Sequence, residues 1–246
     1  MQVLAYSLPQ VKGKELFMKS EEMLNRLKEL SDSRIIEGMK KAGINSVKIF
    51  GISTPKLRKI AREIGKSHEL ALELWESGIH EARIIAALID EPSKVTEEQM
   101  ENWAEDFDSW GICDGACAAL FIRTSFAFDK AIEWSARAEE FVKRAGFVLM
   151  ACLAMHGRRA DDDLYEKFFP IIEKESIDNR KYVNRAVNWA LRQIGKRNLR
   201  LNKLAIKTAE KIYKLNSKSA KWIASDALRE LNSGTVKRRL SRPERT

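Results

Sequence analysis

Apolar residues recur along this chain at the three- and four-residue spacing of amphipathic helices, and no segment reads as a convincing strand. Leu, Ile, Ala, Glu, Lys and Arg fill the periodic segments, and short breaks separate them. The pattern predicts an all-α chain whose helices lie near residues 20–30, 33–42, 55–65, 68–77, 80–90, 96–106, 109–122, 126–137, 139–156, 161–175, 180–196, 199–215 and 218–231.

Start signals support several of these helices. Thr54 followed by Pro55 places a cap before a first-turn proline. Thr96 and Gln99 have the spacing of a capping box, and Ser109 precedes the helix that opens with Trp110.

Many short helices with tight connections favour stacked antiparallel pairs, about six of them, in a HEAT-like helical repeat solenoid. No consensus residue recurs at a fixed period, so a compact helical bundle is the alternative architecture. Residues 1–232 are predicted to form a single helical-repeat domain. Residues 233–246 lack apolar periodicity and are predicted to be a basic, disordered tail.

The charge balance indicates an acidic partner. Lys and Arg number 44 against 35 Asp and Glu, giving a net charge of +9. Eight basic residues and no acids lie between Arg180 and Lys203. Such a concentration of cations is typical of a surface that binds nucleic acid.

The opening of the chain has no secretory signal pattern, and no apolar run reaches membrane-spanning length. With three cysteines, an odd number, we expect reduced thiols in a cytoplasmic protein without a membrane partner.

The segment KYVNRAVNWALRQIGK, residues 181–196, carries a basic face with one tryptophan. At 100° per residue its cations and indole fall within roughly 80°, and the apolar residues lie opposite. This face is either a solvated basic surface with a stray aromatic or a polyanion-binding surface with a flat apolar group. Its members are Lys181, Arg185, Trp189, Arg192 and Lys196.

A second aromatic lies beside an acid in SWGICDGACAALF, residues 109–121. Trp110 and Asp114 are one turn apart, and Cys117 and Phe121 align with them on one helical face. The alternative is a core tryptophan with Asp114 at its margin.

Arg144 stands at the start of the apolar helix EFVKRAGFVLMACLAM, and the eleven residues after it carry no charge. Such a helix is expected to be central and largely buried. Its arginine is then either the partner of an internal carboxylate or a cation on the floor of a groove, where its donors would suit phosphate.

No cofactor or metal is expected. Cys113, Cys117, Cys152 and His156 could in principle form a Cys₃His zinc site, but small buried cysteines at helical spacing are the favoured interpretation. His68 and His80 show no partner pattern. Motifs for nucleotide hydrolysis, acyl transfer and zinc proteolysis are lacking.

Taken in order, five stretches between residues 43 and 231 resemble the AlkD-like family of DNA glycosylases. They are GINSVKIFGISTPKLRKIAREIG, LWESGIHEARIIAALI, FDSWGICDGAC, FVKRAGFVLMA, and YVNRAVNWALRQIGKRN with KWIASDALREL. The resemblance implies a HEAT-like repeat protein that wraps duplex DNA and excises alkylated purines without flipping the base into a pocket.

The resemblance also implies the site residues. Trp110 and Asp114 match a catalytic pair, Trp189 matches a second active-site tryptophan, and Arg144 matches an arginine that opens the central helix. Tyr182 and Arg192 match the pattern around the second tryptophan. The expected DNA-binding residues are Arg144, Lys181, Tyr182, Arg185, Arg192 and Lys196.

Three positions depart from the family pattern. Gly111 stands where an aspartate is frequent, Phe141 where a tryptophan is frequent, and Lys181 where a second aromatic would precede Tyr182.

Three functions remain open at this point. The favoured one is a monomeric glycosylase that removes N3- and N7-alkylpurines from double-stranded DNA, with Asp114 as a lone carboxylate in a basic groove. The others are a DNA-structure-binding protein without catalysis and a protein-binding HEAT scaffold.

Overall fold

The computed structural model of the protein describes residues 19–157 and 161–241. These ranges contain helices and no strand, so the all-α prediction is confirmed. The helices are α1 Ser20–Glu29, α2 Ser33–Lys41, α3 Thr54–Ile64, α4 His68–Glu76, α5 His80–Ile89, α6 Glu97–Glu105, α7 Trp110–Ala119, a 3-10 helix Phe121–Arg123, α8 Ala127–Ser135, α9 Glu140–His156, α10 Asp162–Glu166, α11 Phe168–Glu175, α12 Lys181–Gly195, α13 Leu199–Tyr213, α14 Lys218–Leu231 and α15 Gly234–Leu240.

Six helices form one row in which each contacts the next: α3, α5, α7, α9, α12 and α14. Other helices pack against members of this row: α4 packs against α5, α8 against α9, and α13 against α14. Contacts between neighbouring pairs are the defining property of a helical solenoid. The row therefore confirms the predicted HEAT-like stack.

Helix α9 is the centre of this row. Every residue from Val142 to Ala154 is buried, as the uncharged stretch after Arg144 predicts. A side chain at Gly146 would lie 2.5 Å from the Ser135 nitrogen and 2.9 Å from the Ala131 oxygen. Only glycine lets the backbones of α8 and α9 approach so closely. None of the described helices is long and apolar enough to cross a bilayer.

Aromatic packing fills the core before α9. Trp75 and Trp103 stack with their ring centroids 3.8 Å apart, and Phe121 packs edge-on against Trp134. Cys117 and Phe121, which the sequence aligns with Trp110 and Asp114 on one helical face, are both fully buried. Helix α7 ends at Ala119, and a 3-10 turn redirects Phe121 into the core.

Two predicted boundaries also differ from the structure. The single helix expected at residues 161–175 is divided at Lys167, because Pro170 has no N–H to continue the hydrogen-bond ladder.

The tail expected to be disordered from residue 233 is instead helical at 234–240, where Ser233 caps α15 and Val236 is buried. The basic residues in the last turn of α15 interact favourably with the negative end of the helix dipole. Residues 242–246 lie outside the described residues.

Candidate active site

Trp110 and Asp114, one turn apart on α7, line a cleft of about 650 Å³. Its walls come mainly from four helices, α2, α3, α5 and α7. The lining is mostly apolar, with Arg58, His80 and Arg123 as its other charged or titratable members. A concave apolar site with a few convergent polar groups is typical of ligand-binding positions.

Asp114 is bound by the guanidinium of Arg144 in a two-pronged contact. Nε donates to Oδ1 at 2.8 Å, and Nη2 donates to Oδ2 at 2.7 Å. The third arginine nitrogen, Nη1, donates to the carbonyl of Tyr182 at 2.7 Å. Arg144 thus links α7, α9 and α12. The sequence left two roles open for this arginine, and in the structure it is the partner of an internal carboxylate.

The Asp114 carboxylate nevertheless remains reachable. Its side chain is 25% exposed, whereas that of Arg144 is 9% exposed. Burial raises the pKa of the Asp114 carboxyl, and the hydrogen bonds and charge of Arg144 oppose that rise. Asp114 is the one acidic residue among the described residues that line the cleft, and the buried Arg144 supplies the fixed counter-charge that stabilises it away from water.

The end of α2 lies against this site. Trp110 Nε1 donates to the Ala42 carbonyl at 3.1 Å, and the Tyr182 hydroxyl donates to the Gly43 carbonyl at 3.2 Å. Gly43 has a φ of +85°, and a side chain there would collide with the Tyr182 hydroxyl. The tyrosine ring also packs at 5.5 Å from Phe141. These contacts fix both aromatic rings beside the Asp114–Arg144 pair.

Helix α12 has the predicted two faces. Its apolar residues are buried, namely Val183, Val187, Ala190, Leu191 and Ile194. On the opposite face Lys181 and Arg185 are exposed. Lys181 lies over the ring of Tyr182 at 5.4 Å. No ion pair involves either cation within the part of the chain that the structure describes.

The other two cations of this face are paired. Glu230 of α14 accepts from Arg192 at 2.5 Å and from Lys196 at 2.7 Å. Asp226 lies 3.5 Å from Arg192. The predicted face of α12 is therefore not uniformly cationic, because acidic residues of α14 lie against the C-terminal half of α12.

Trp189 is half-buried and packs against the hydrophobic core. Its Nε1 lies 2.9 Å from the amide oxygen of Gln193, in the amide orientation that also satisfies Lys196. It lies seven residues beyond Tyr182, about 10 Å along the helix axis at 1.5 Å per residue. The structure thus brings Trp110, Asp114, Arg144 and Tyr182 together and leaves Trp189 two turns away.

Sequence reasoning missed three hydrogen-bonded residues, of which one, His80, lines the cleft. The Ser46 hydroxyl donates to Asp108 Oδ1 at 2.9 Å and lies 3.1 Å from His80 Nδ1. His80, which showed no partner pattern in the sequence, is almost fully buried in the cleft wall. Ser46 is 34 residues from His80 and 62 residues from Asp108 in the chain, so no local sequence spacing predicts these contacts.

The three cysteines are buried, and two of them contact backbone carbonyls. The Cys113 thiol donates to the Phe141 carbonyl at 3.4 Å, and the Cys117 thiol lies 3.9 Å from the Ala145 carbonyl. Burial raises the pKa of Cys152 to about 12. Because zinc binds thiolates, these environments disfavour the Cys₃His arrangement.

Comparison with known proteins gives two curated relatives from Listeria, both uncharacterized. The one from Listeria innocua is 30% identical over 42% of this chain and 47% of its own length. The one from Listeria monocytogenes is 28% identical over the same shares. The chain therefore spans about half the length of the curated relatives that it matches.

A solved structure is similar over nearly the whole fold. It covers 87% of this chain and 96% of its own, with a TM-score of 0.68 and 20% identity. It is described as a new family of proteins related to the HEAT-like repeat DNA glycosylases with affinity for branched DNA structures. At this identity the similarity shows a shared fold.

A family model described as "DNA alkylation repair enzyme" matches residues 23–231, which is most of the chain. The match includes the row of six helices and every member of the cleft described above. This chain belongs to the DNA alkylation repair enzyme family.

Proposed function

We propose that the protein excises cationic N3- and N7-alkylpurines from double-stranded DNA by hydrolysing the N-glycosidic bond. The observation that carries this proposal is the Asp114 carboxylate, fixed by Arg144 beside Trp110 and still open to the cleft. Membership of a DNA alkylation repair family supports the class of substrate.

The chemistry requires little beyond this arrangement. Alkylation at N3 or N7 gives the purine a positive charge, so the base leaves without an acid to protonate it. As the bond to C1′ lengthens, the deoxyribose takes on oxocarbenium character, which a preorganised carboxylate stabilises. Arg144 holds Asp114 in position, and the indole face of Trp110 provides a flat, electron-rich neighbour for the sugar cation.

Phosphate contacts would come from exposed cations at the cleft and on α12. Arg58 of α3 and Arg123 lie on the cleft lining, and both are exposed. Lys181 and Arg185 are exposed on α12, the helix whose Tyr182 carbonyl accepts from Arg144. Such cations bind the DNA backbone without reading its sequence.

Selectivity among bases is expected to depend on the charge of the leaving base and not on hydrogen bonds to its edges. Duplexes that each contain N7-methylguanine, N3-methyladenine or uracil should lose the first two bases and keep the uracil. The uracil glycosidic bond breaks slowly because a neutral base leaves poorly, and the cleft is not required to read base edges. Quantifying the released base and the abasic sites in each duplex checks this. Efficient release of uracil would contradict the proposed basis of selectivity.

The ion pairs of α12 predict unequal roles in DNA binding. Replacing Arg185, which has no ion-pair partner among the described residues, by alanine should reduce the slope of log affinity against log salt by about 0.9, the value for one neutralised phosphate. Replacing Lys196, which is bound to Glu230, should change that slope less. Titrations of undamaged duplex at several salt concentrations measure both. A larger effect from Lys196 would place the DNA elsewhere on α12.

A second function, binding of DNA structure without catalysis, is favoured by one feature of the site. Both oxygens of Asp114 accept from Arg144, which reduces the negative charge available to a sugar cation. The structurally similar protein described above has affinity for branched DNA. Tight binding to a branched junction with no base release from a methylated duplex would support this function. Failure to bind either DNA would contradict both of these functions and favour the third, a protein-binding scaffold.

A further inference from the structure

The Asp108, Ser46 and His80 side chains form a hydrogen-bonded chain that ends at the cleft. Ser46 lies in the loop after α2, His80 is the first residue of α5, and Asp108 precedes α7. Ser46 Oγ is 2.9 Å from Asp108 Oδ1 and 3.1 Å from His80 Nδ1. The Ser109 hydroxyl lies at the edge of bonding range, 3.5 Å from Ser46 Oγ.

The direction of these hydrogen bonds follows from which of the three side chains carry a proton to donate. An ionised carboxylate only accepts, so the single proton of Ser46 is donated to Asp108. The serine oxygen can then only accept from His80, which places the imidazole proton on Nδ1. Burial lowers the pKa of His80, so the ring is neutral at neutral pH. Its Nε2 is therefore left as a hydrogen-bond acceptor.

This acceptor lies next to the Trp110–Asp114 turn. A Cβ built on Gly111 would be 3.2 Å from His80 Cε1 and 3.6 Å from Nε2. Gly111 places no side chain of its own against that edge of the ring, and the Ile44 Cδ1 atom lies 3.2 Å from the same Cβ position. Gly111 and Asp114 are i and i+3 on α7, and such positions are about 5–6 Å apart. Nε2 has no hydrogen-bond partner among the described residues.

We infer that His80 is the base that accepts a proton from the attacking water, with Ser46 and Asp108 as positioning residues that fix its tautomer. This inference rests on the proposed function. In the step, the bond from C1′ to the purine nitrogen breaks and its electron pair neutralises the cationic base. The water oxygen bonds to C1′, and the water proton passes to His80 Nε2. Asp114 stabilises the sugar cation meanwhile, so the two groups have separate tasks.

The tautomer is tested without any substrate. In ¹⁵N NMR of the full chain, the ring nitrogens of His80 should show a protonated Nδ1 and an unprotonated Nε2 near neutral pH. The chain has three histidines, and the resonances lost in a His80→Gln variant identify the pair. Ser46→Ala should convert them to a mixture of tautomers. A wild-type ring protonated at Nε2 would overturn the inference.

The catalytic role is tested by single-turnover release of N7-methylguanine from a duplex. His80→Gln should slow release by about 10²-fold or more, the usual contribution of a general base, with duplex affinity retained. Ser46→Ala should slow it by a smaller factor. His156→Gln, which changes an exposed histidine outside the cleft, is the matched control.

The outcomes separate this inference from the function on which it rests. An active wild type with an equally active and folded His80→Gln variant overturns the role of His80 alone. A wild type that binds duplex without releasing base overturns the proposed function, and the general-base role with it. In that case the NMR result still decides whether the hydrogen-bonded chain fixes the tautomer.

Discussion

Asp114→Asn is expected to slow the single-turnover release of N7-methylguanine by about 10²-fold to 10³-fold, the usual loss when one preorganised electrostatic contact is removed. The amide keeps the size of the side chain and can still accept one hydrogen bond from Arg144, but it carries no charge to stabilise the sugar cation. Duplex affinity should be retained, since a negative charge has left a surface that faces phosphates.

The same substitution also weakens a structural ion pair, so its folding must be measured beside its rate. Circular dichroism melts set a temperature at which the variant is fully folded, and release is compared there. Asp129→Asn is a charge-matched control, because Asp129 is exposed on α8 and does not line the cleft. Release by folded Asp114→Asn at the wild-type rate would remove Asp114 from the mechanism.

Arg144→Gln should lower the free energy of unfolding by about 3 kcal/mol, near the lower end of the loss from breaking a buried ion pair. The lower end applies because the Asp114 side chain is 25% exposed. The substitution leaves the Asp114 carboxylate without a counter-charge and the Tyr182 carbonyl without its donor. Denaturant unfolding of the wild type and the variant measures the difference.

Arg34→Gln is the matched control for that experiment. Arg34 also pairs with an aspartate, Asp32, but its side chain is 90% exposed. Exposed ion pairs contribute little to stability, so this variant should unfold almost as the wild type does. Equal losses from the two arginines would mean that the Arg144 pair does not join α7, α9 and α12.

Much of the architecture could be predicted from local pattern. The two faces of α12 follow from the period of its apolar residues, and the burial of α9 on all sides follows from its long uncharged stretch. The boundary errors have local causes that sequence reasoning underweighted. Pro170 divides a helix, and a single buried Val236 orders a basic segment.

The site was harder to predict, because its members meet only through tertiary structure. Trp110 and Asp114 were found because they lie one turn apart on a single helix. The contact of Asp114 with Arg144 spans 30 residues, and that of Arg192 with Glu230 spans 38. The sequence could suggest an internal carboxylate as one partner for Arg144, but it could not identify which acid lies beside either arginine. His80 was missed for the same reason, since its partners come from a loop and from the segment before α7.

The most direct test of the proposed excision is the rate at which the wild-type protein releases N7-methylguanine from a duplex that contains one such base. The assay uses excess protein and is read beside the spontaneous loss of the base without protein. We expect release well above the spontaneous rate, leaving one abasic site for each base freed. Release at the spontaneous rate, from a duplex that the protein demonstrably binds, would contradict the proposed excision.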